Sequence, residues 1–268
     1  MTTATSSRAS FAAPAGHYRF WQVARMEWIK LRSLRSTWWT LAITAAGAIG
    51  IAVAVGVGTK NASGDLTNNA LAGISLGLLT MGVLGVLVMT GEYTSGSIRS
   101  TLAAIPNRPL LLAAKATVFG AVALAVGEVA AFIAFFAGDL TLPASIPGPS
   151  LGQPGVLRAV VLSGAGFCLI GLLGLGLGAI IRHSPAAIGV LVGGVYVGAQ
   201  FVVALAHAAM GYIPVSIVAN SLSTTRPMSC DDGPCPHLLS PWTGLGVLCL
   251  YAAVALGIGG WLLVRRDV

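Results

Sequence analysis

What most constrains this chain is a series of six long apolar stretches separated by polar connections, at about residues 38–58, 71–90, 111–137, 156–181, 186–210 and 242–264. A helix needs roughly 20 residues to cross a hydrocarbon layer about 30 Å thick, and within that layer every backbone amide must be satisfied inside its own segment. Each stretch reaches that length. The expected fold class is therefore all-α, a polytopic membrane protein with six transmembrane helices. Soluble domains carry about 25% charged residues, whereas this chain is 9% charged and 56% hydrophobic, with a mean hydropathy of +0.85. No polar stretch of domain size is left over, so residues 18–268 are expected to form a single transmembrane domain.

Charge sets the direction. The formal net charge of +7 would suggest nucleic acid in a soluble protein. Here the basic residues flank the apolar stretches, which points to orientation in a lipid bilayer and to no nucleic-acid partner. With a cytoplasmic amino terminus, only Lys60, Arg158 and Arg226 of the 15 Lys and Arg fall outside. The rest, from Arg8 through Arg99, Arg108, Lys115 and Arg182 to Arg266, fall inside, so both termini are expected in the cytoplasm. Residues 1–17 are small and polar, and read as a disordered cytoplasmic tail. Trp38, Trp39, Trp242 and Trp261 sit at span ends, where aromatic rings anchor helices to the interface. Small residues recur four apart at Gly73 and Gly77, Gly174 and Gly178, Gly189 and Gly193, and Gly194 and Gly198. Such pairs allow close helix approach, either within one chain or between subunits.

Two segments on the inner side have structure of their own. In HYRFWQVARMEWIKLRSLRSTWW, a helix over about 18–36 places Phe20, Ala24, Trp28 and Leu31 on one side, with Arg25, Lys30 and Arg32 flanking them. This suits a helix lying in the lipid headgroups, with Glu27 and Arg35 interrupting its face. Between spans two and three, GEYTSGSIRSTLAAIPNRPL predicts a short amphipathic helix. Ser95 or Ser97 would cap it, Ile98, Leu102 and Ile105 would share one side, and Pro106 would end it. Glu92, Arg99 and Arg108 surround it. The segment reads either as a docking surface for another protein or as a surface loop.

The basic aromatic helix, the loop Gly91-Glu92-Tyr93-Thr94-Ser95-Gly96-Ser97-Ile98-Arg99-Ser100-Thr101-Leu102-Ala103-Ala104-Ile105-Pro106-Asn107-Arg108, the following Ala113-Ala114-Lys115 and the six-span plan together resemble the permease subunit of bacterial type-2 ABC transporters. The likeness is sharpest from Tyr18 to Lys115. It implies a plasma-membrane protein whose first helix is an interfacial elbow. It also implies a coupling helix near residues 92–105 that contacts a separate ATPase subunit through Glu92, Tyr93, Ser97, Ile98, Arg99, Leu102, Ile105 and Arg108. Two permease chains, identical or different, and two ATPases would form the transporter, with ATP and magnesium held by the partner. The chain itself contains no G-x-x-x-x-G-K-[ST] phosphate loop, and no cofactor is expected on it.

Inside the spans, Glu128 is the one acidic residue well within an apolar stretch, where an unpaired charge costs about 2.5 to 3.5 kcal/mol. His207 and Arg158 are expected at a similar depth. Glu128 and His207 are therefore candidates for a substrate pathway or gate, the other reading of Glu128 being a buried structural hydrogen bond. In the long outer connection from 211 to 241, PVSIVANSL is apolar enough to sit in the interface. Cys230 and Cys235 lie close together on an oxidising face, which favours a local disulfide. A metal site with Asp231 and His237 lacks four ligands at usual spacing.

Two other function classes fit parts of the chain. Gly73-Ile74-Ser75-Leu76-Gly77 matches the G-x-S-x-G pattern of serine hydrolases, with His207 as the candidate base, but the strand-turn-helix context is missing. A self-sufficient secondary transporter or channel is the other, opposed by few intramembrane charges and no clear inverted repeat.

Overall fold

The computed structural model describes residues 18–60, 65–198, 201, 205, 211–224 and 239–266. Among these residues the regular structure is helical, with no strand. In chain order the helices are α1 (Phe20–Ser33), α2 (Arg35–Gly58), α3 (Leu66–Ala70), α4 (Ile74–Thr94), α5 (Ser97–Ala104), α6 (Arg108–Leu140), α7 (Val156–Ile181), α8 (Ser184–Gly189), α9 (Pro214–Leu222) and α10 (Pro241–Arg265). Five of them, α2, α4, α6, α7 and α10, are long and apolar enough to cross a membrane. The chain is accordingly a multi-pass helical membrane protein.

Five helices meet the length requirement, against the six expected. Where the sequence predicts a span over 186–210, α8 runs directly into nine residues of π-helix, Val190–Gly198, and together they make only a shorter apolar helix. Apart from the helical positions Phe201 and Leu205, the remainder of that stretch lies outside the described residues. The third span is longer than the apolar count alone predicts. It begins at Arg108 because the Asn107 side chain accepts from the Leu110 amide (3.1 Å) and Pro109 fits the first turn.

The contacts fix which helix ends lie together. At the end of α2, a Cβ on Gly56 would overlap Thr141, just beyond α6, so α2 and α6 run the same way. At the other face Ser184 Oγ, following α7, donates to Thr90 Oγ1 near the end of α4 (2.7 Å). Arg182, also following α7, donates to the Leu262 carbonyl near the end of α10 (2.9 Å). So α4, α7 and α10 run back together, and the end they share with the starts of α2 and α6 gathers Arg25, Arg32, Arg99, Arg108, Lys115 and Arg182. We call it the basic end.

The α7 helix is the centre. Its most apolar stretch is 67% buried, against 28% for α2 and for α10, and it packs on α4, α6, α9 and α10. Phe119, Phe135, Phe167, Met81 and Ile170 fill the core around it. Lipid tails are as apolar as leucine, so helices in a bilayer associate through close packing, which small residues permit. That is the use made of Gly82 and Gly85 on α4 and Gly171 and Gly174 on α7: a Cβ on Gly85 would overlap the Gly171 carbonyl, and one on Gly174 the Gly82 carbonyl. Of the four glycine pairs read from the sequence, Gly73 and Gly77 press on Ala48 and the Phe167 ring, and Gly174 and Gly178 on α4. Gly189, Gly193 and Gly194 have open space where a Cβ would stand.

At the basic end α1 and α5 lie across the foot of α6. Val23 and Ala24 of α1, Ile98 and Ile105 of the α5 segment, and Leu111 and Ala114 of α6 form a second apolar cluster. This corrects the expected face of α1. Ala24 and Leu31 are buried against protein, as is Glu27, while Phe20, Trp21, Trp28 and Ile29 are exposed. Trp38, Trp39, Trp242 and Trp261 are all exposed near helix ends, as interfacial anchors require.

Candidate functional site

Helix α5 starts at Gly96, whose φ of +71° is the left-handed conformation that glycine adopts without steric cost. Neither serine holds the N-cap position as predicted, since that belongs to Gly96, though the Ser95 hydroxyl just before it accepts from the Ser97 amide (3.4 Å). The Ser95 hydroxyl turns back to the Gly91 carbonyl (2.8 Å) and lies 2.9 Å from the Ser97 hydroxyl. The helix ends at Ala104, ahead of Pro106, as expected. Its apolar side is covered by the fold itself: Ile98 and Ile105 are 2% and 4% exposed, and Leu102 packs beside them against α1 and α6. Arg99, Ser100, Ala103 and Ala104 face outward.

The main polar feature beneath α5 is a cluster of two acids and two bases drawn from three elements, joined to α5 through Thr101. Lys115 Nζ on α6 donates to Glu27 Oε2 on α1 (2.5 Å) and to Glu92 Oε1 at the end of α4 (2.9 Å). Lys30 Nζ on α1 donates to the same Glu92 Oε1 (2.9 Å), to Thr101 Oγ1 on α5 (3.0 Å) and to Glu27 Oε1 (3.3 Å). Thr101 in turn donates to the Ser97 carbonyl (3.0 Å), so its hydroxyl is satisfied in both directions. The side chains of Glu27 and Lys115 are 3% and 4% exposed, Glu92 is 11% and Lys30 is 33%. Taking charges out of water is costly unless each is matched and hydrogen-bonded. Here the charges balance, and the cluster pins α1, α4, α5 and α6 together.

Glu27 is thus not the interruption of an interfacial face that its position suggests. It is an inward pivot, and Lys115 is its counter-ion rather than only a topology signal. A clue was present in the sequence: Glu27 shares a face with Val23, Ala24 and Leu31, and Lys115 follows six residues free of charge. The pairing across 88 positions carries no local signal.

Arg108 serves a different element from the one expected. Its Nη1 donates to the Leu263 carbonyl (2.7 Å) and reaches those of Val264 (3.4 Å) and Arg266 (3.2 Å). With Arg182 on the Leu262 carbonyl, two guanidinium groups satisfy the last carbonyls of α10, where the helix dipole favours positive charge. The Arg182 guanidinium also lies 5.3 Å from the centre of the Tyr93 ring. Of the predicted coupling residues, then, Arg99 is presented outward. Glu92, Ile98, Leu102 and Ile105 hold the helix in place and Ser97 sits at its first turn, while Tyr93 joins the end of α4 to Arg182 after α7, and Arg108 joins the start of α6 to α10.

In the apolar interior, Glu128 lies against Gly164 of α7, where a Cβ would overlap its carboxyl carbon. Its Oε2 is buried with no hydrogen-bond partner among the described residues. Arg158 does not meet it, donating instead to the Ser223 carbonyl (2.9 Å). His207, Cys230 and Cys235 lie outside the described residues, as do Asp231 and His237. Ser75 is exposed on the first turn of α4, and the glycines flanking it are packing contacts to α2 and α7. Away from the basic end, Asp65 caps α3 through the Thr67 and Asn68 amides (both 3.1 Å) and accepts from the Thr224 hydroxyl (2.9 Å), tying the end of α9 to the start of α3.

An apolar groove of about 770 Å³ runs between α7, the π-helical turns, α9 and α10. Leu173, Leu177, Val195, Leu250, Val254 and Ile258 line it, and the Tyr251 hydroxyl donates to the Tyr212 carbonyl at its edge (3.0 Å). Among the described residues no three His, Cys, Asp or Glu side chains converge as a metal site would require. Neither protein-family models nor the curated proteins searched give a match to this chain.

Proposed function

We propose that the chain is the membrane-spanning permease subunit of an ATP-driven transporter resembling the type-2 ABC class, coupled to a separate ATPase subunit that holds ATP and magnesium. The observation that carries this reading is the four-charge cluster beneath α5. A partner pressing on the outward face at Arg99, Ser100 and Ala103 would not move a free loop. Through Lys30, Glu92 and Lys115 it would move α1 and the ends of α4 and α6 together. Work enters such a system only if the partner binds that face differently in its two nucleotide states.

The remaining features support the same reading. Ser184 is bonded at the basic end and Thr224 at the opposite end, which supports the reading that a sixth crossing lies between them. The basic end then faces the cytoplasm of a bacterial plasma membrane. The open glycines at 189, 193 and 194 leave a face for a second permease chain, identical or different. The apolar groove suits a hydrophobic or amphipathic cargo, and export is the direction the resemblance implies. The test is purification of the chain from its native membrane. A co-purifying ATPase, lost on Arg99→Glu with Ala103→Trp, is expected; transport by the chain alone in liposomes refutes the proposal.

A further inference from the structure

A second polar site lies on the opposite flank of α5 from the four-charge cluster. A cavity of about 410 Å³ is lined by Tyr93, Gly96, Ile98, Arg99 and Arg182. It would hold about a dozen waters at roughly 30 Å³ each, enough for a tetrahedral anion and part of its hydration. Its charged lining is basic, from Arg99 and Arg182. Arg182 is held rigidly, with Nη2 on the Leu262 carbonyl (2.9 Å) and its plane against the Tyr93 ring, yet its buried Nε has no hydrogen-bond partner among the described residues. The Tyr93 hydroxyl is also buried and without a partner among them. Arg99 forms the other wall from the exposed side of α5.

Two guanidinium groups lining one cavity concentrate positive charge that calls for an acceptor, while the Arg182 Nε and the Tyr93 hydroxyl stand behind its surface. No carboxylate among the described residues pairs with Arg99 or Arg182. Glu92, the neighbour of Tyr93, is already engaged by Lys30 and Lys115. The acceptor is therefore expected from outside the chain. Guanidinium groups bind phosphate oxygens in a forked geometry that matches their donors.

We propose that this cavity binds a phosphoryl anion, with Arg99 and Arg182 as the clamping cations. The anion is either the phosphate of a lipid headgroup or a small soluble phosphate, the chemistry being shared. Because Arg99 rides on α5 while Tyr93 and Arg182 belong to the ends of α4 and α7, occupancy reports the position of α5. The inference does not rest on the ATPase-coupled reading.

The full-length protein in phosphatidylcholine nanodiscs provides the test, with two probes. Equilibrium dialysis with radiolabelled inorganic phosphate reads a soluble source. Native mass spectrometry after adding phosphatidylglycerol to the discs reads a lipid source. One of the two is expected to bind saturably and to be weakened by salt. Arg99→Gln should weaken it about ten- to a hundredfold. The substitution removes no hydrogen bond within the fold, so the variant should elute and melt as the parent does. Absence of saturable binding by both probes, or equal binding by the parent and the variant, overturns the proposal.

Discussion

Replacing Lys115 with methionine keeps much of its volume while removing the cation that Glu27 and Glu92 share. Which of the four ion pairs matters follows from exposure. Lys30 is one-third exposed, so its pairs are screened and each is worth about 1 kcal/mol or less. The Glu27–Lys115 pair is 3% and 4% exposed, and removing one partner of such a pair costs about 3 to 5 kcal/mol, because the other charge stays buried without its match. Lys115→Met should therefore destabilise by about that amount. Glu27→Gln should cost less, since Lys115 keeps Glu92. The double variant restores balance, with Lys30 left to Glu92, and should cost at least about 1.5 kcal/mol less than the sum of the singles. Equilibrium unfolding in mixed detergent micelles, followed by circular dichroism, measures all four corners. Additive costs, or a Lys115→Met loss under about 1 kcal/mol, would show that the cluster is not a coupled unit.

Gly174→Val should abolish the folded yield, because its Cβ overlaps the Gly82 carbonyl, whereas Gly193→Val and Gly194→Val should stay within about 0.5 kcal/mol of the parent in the isolated chain; expression monitored by size-exclusion chromatography separates them. Glu128→Leu should stabilise the chain by about 1 to 3 kcal/mol in the same unfolding assay, since it removes a buried oxygen without a partner among the described residues. If transport is also retained, Glu128 has no part in the pathway. Single cysteines in a background lacking native ones, at Arg99 and at Thr224, should react with a membrane-impermeant maleimide from opposite sides. Labelling of both from one side would contradict the assigned ends.

The crossing helices were legible because apolarity alone specifies them, and Val156–Ile181 matches its expected limits. Length was less legible where a cap decides it, as at Asn107. The amphipathic stripe Ile98, Leu102 and Ile105 was also legible, but a stripe states only that a face is covered, not by what. Here it is covered by α1 and α6, which leaves Arg99 and Ser100 as the presented surface. The charge cluster was hidden for a different reason. Each member sits among residues whose local pattern assigns it a separate part, a headgroup flank for Lys30, a break in that face for Glu27, an orientation signal for Lys115 and a docking charge for Glu92. Their common purpose exists only once α1 is folded across α6. The π-helical turns after α8 were hidden too, since hydropathy counts residues and is blind to how tightly the backbone is wound.

The two arginine forks on the final carbonyls have a mechanical consequence. They moor one extremity of α10, so any swing of that helix has its fulcrum there and its travel at Pro241. For 25 residues at about 1.5 Å each the lever is about 37 Å long, and a tilt of about 5° carries its far tip about 3 Å. The wall formed by Leu250 and Val254 would shift by about half of that or less, which widens the neighbouring groove toward the side where Asp65 fastens α9 and leaves the moored side shut.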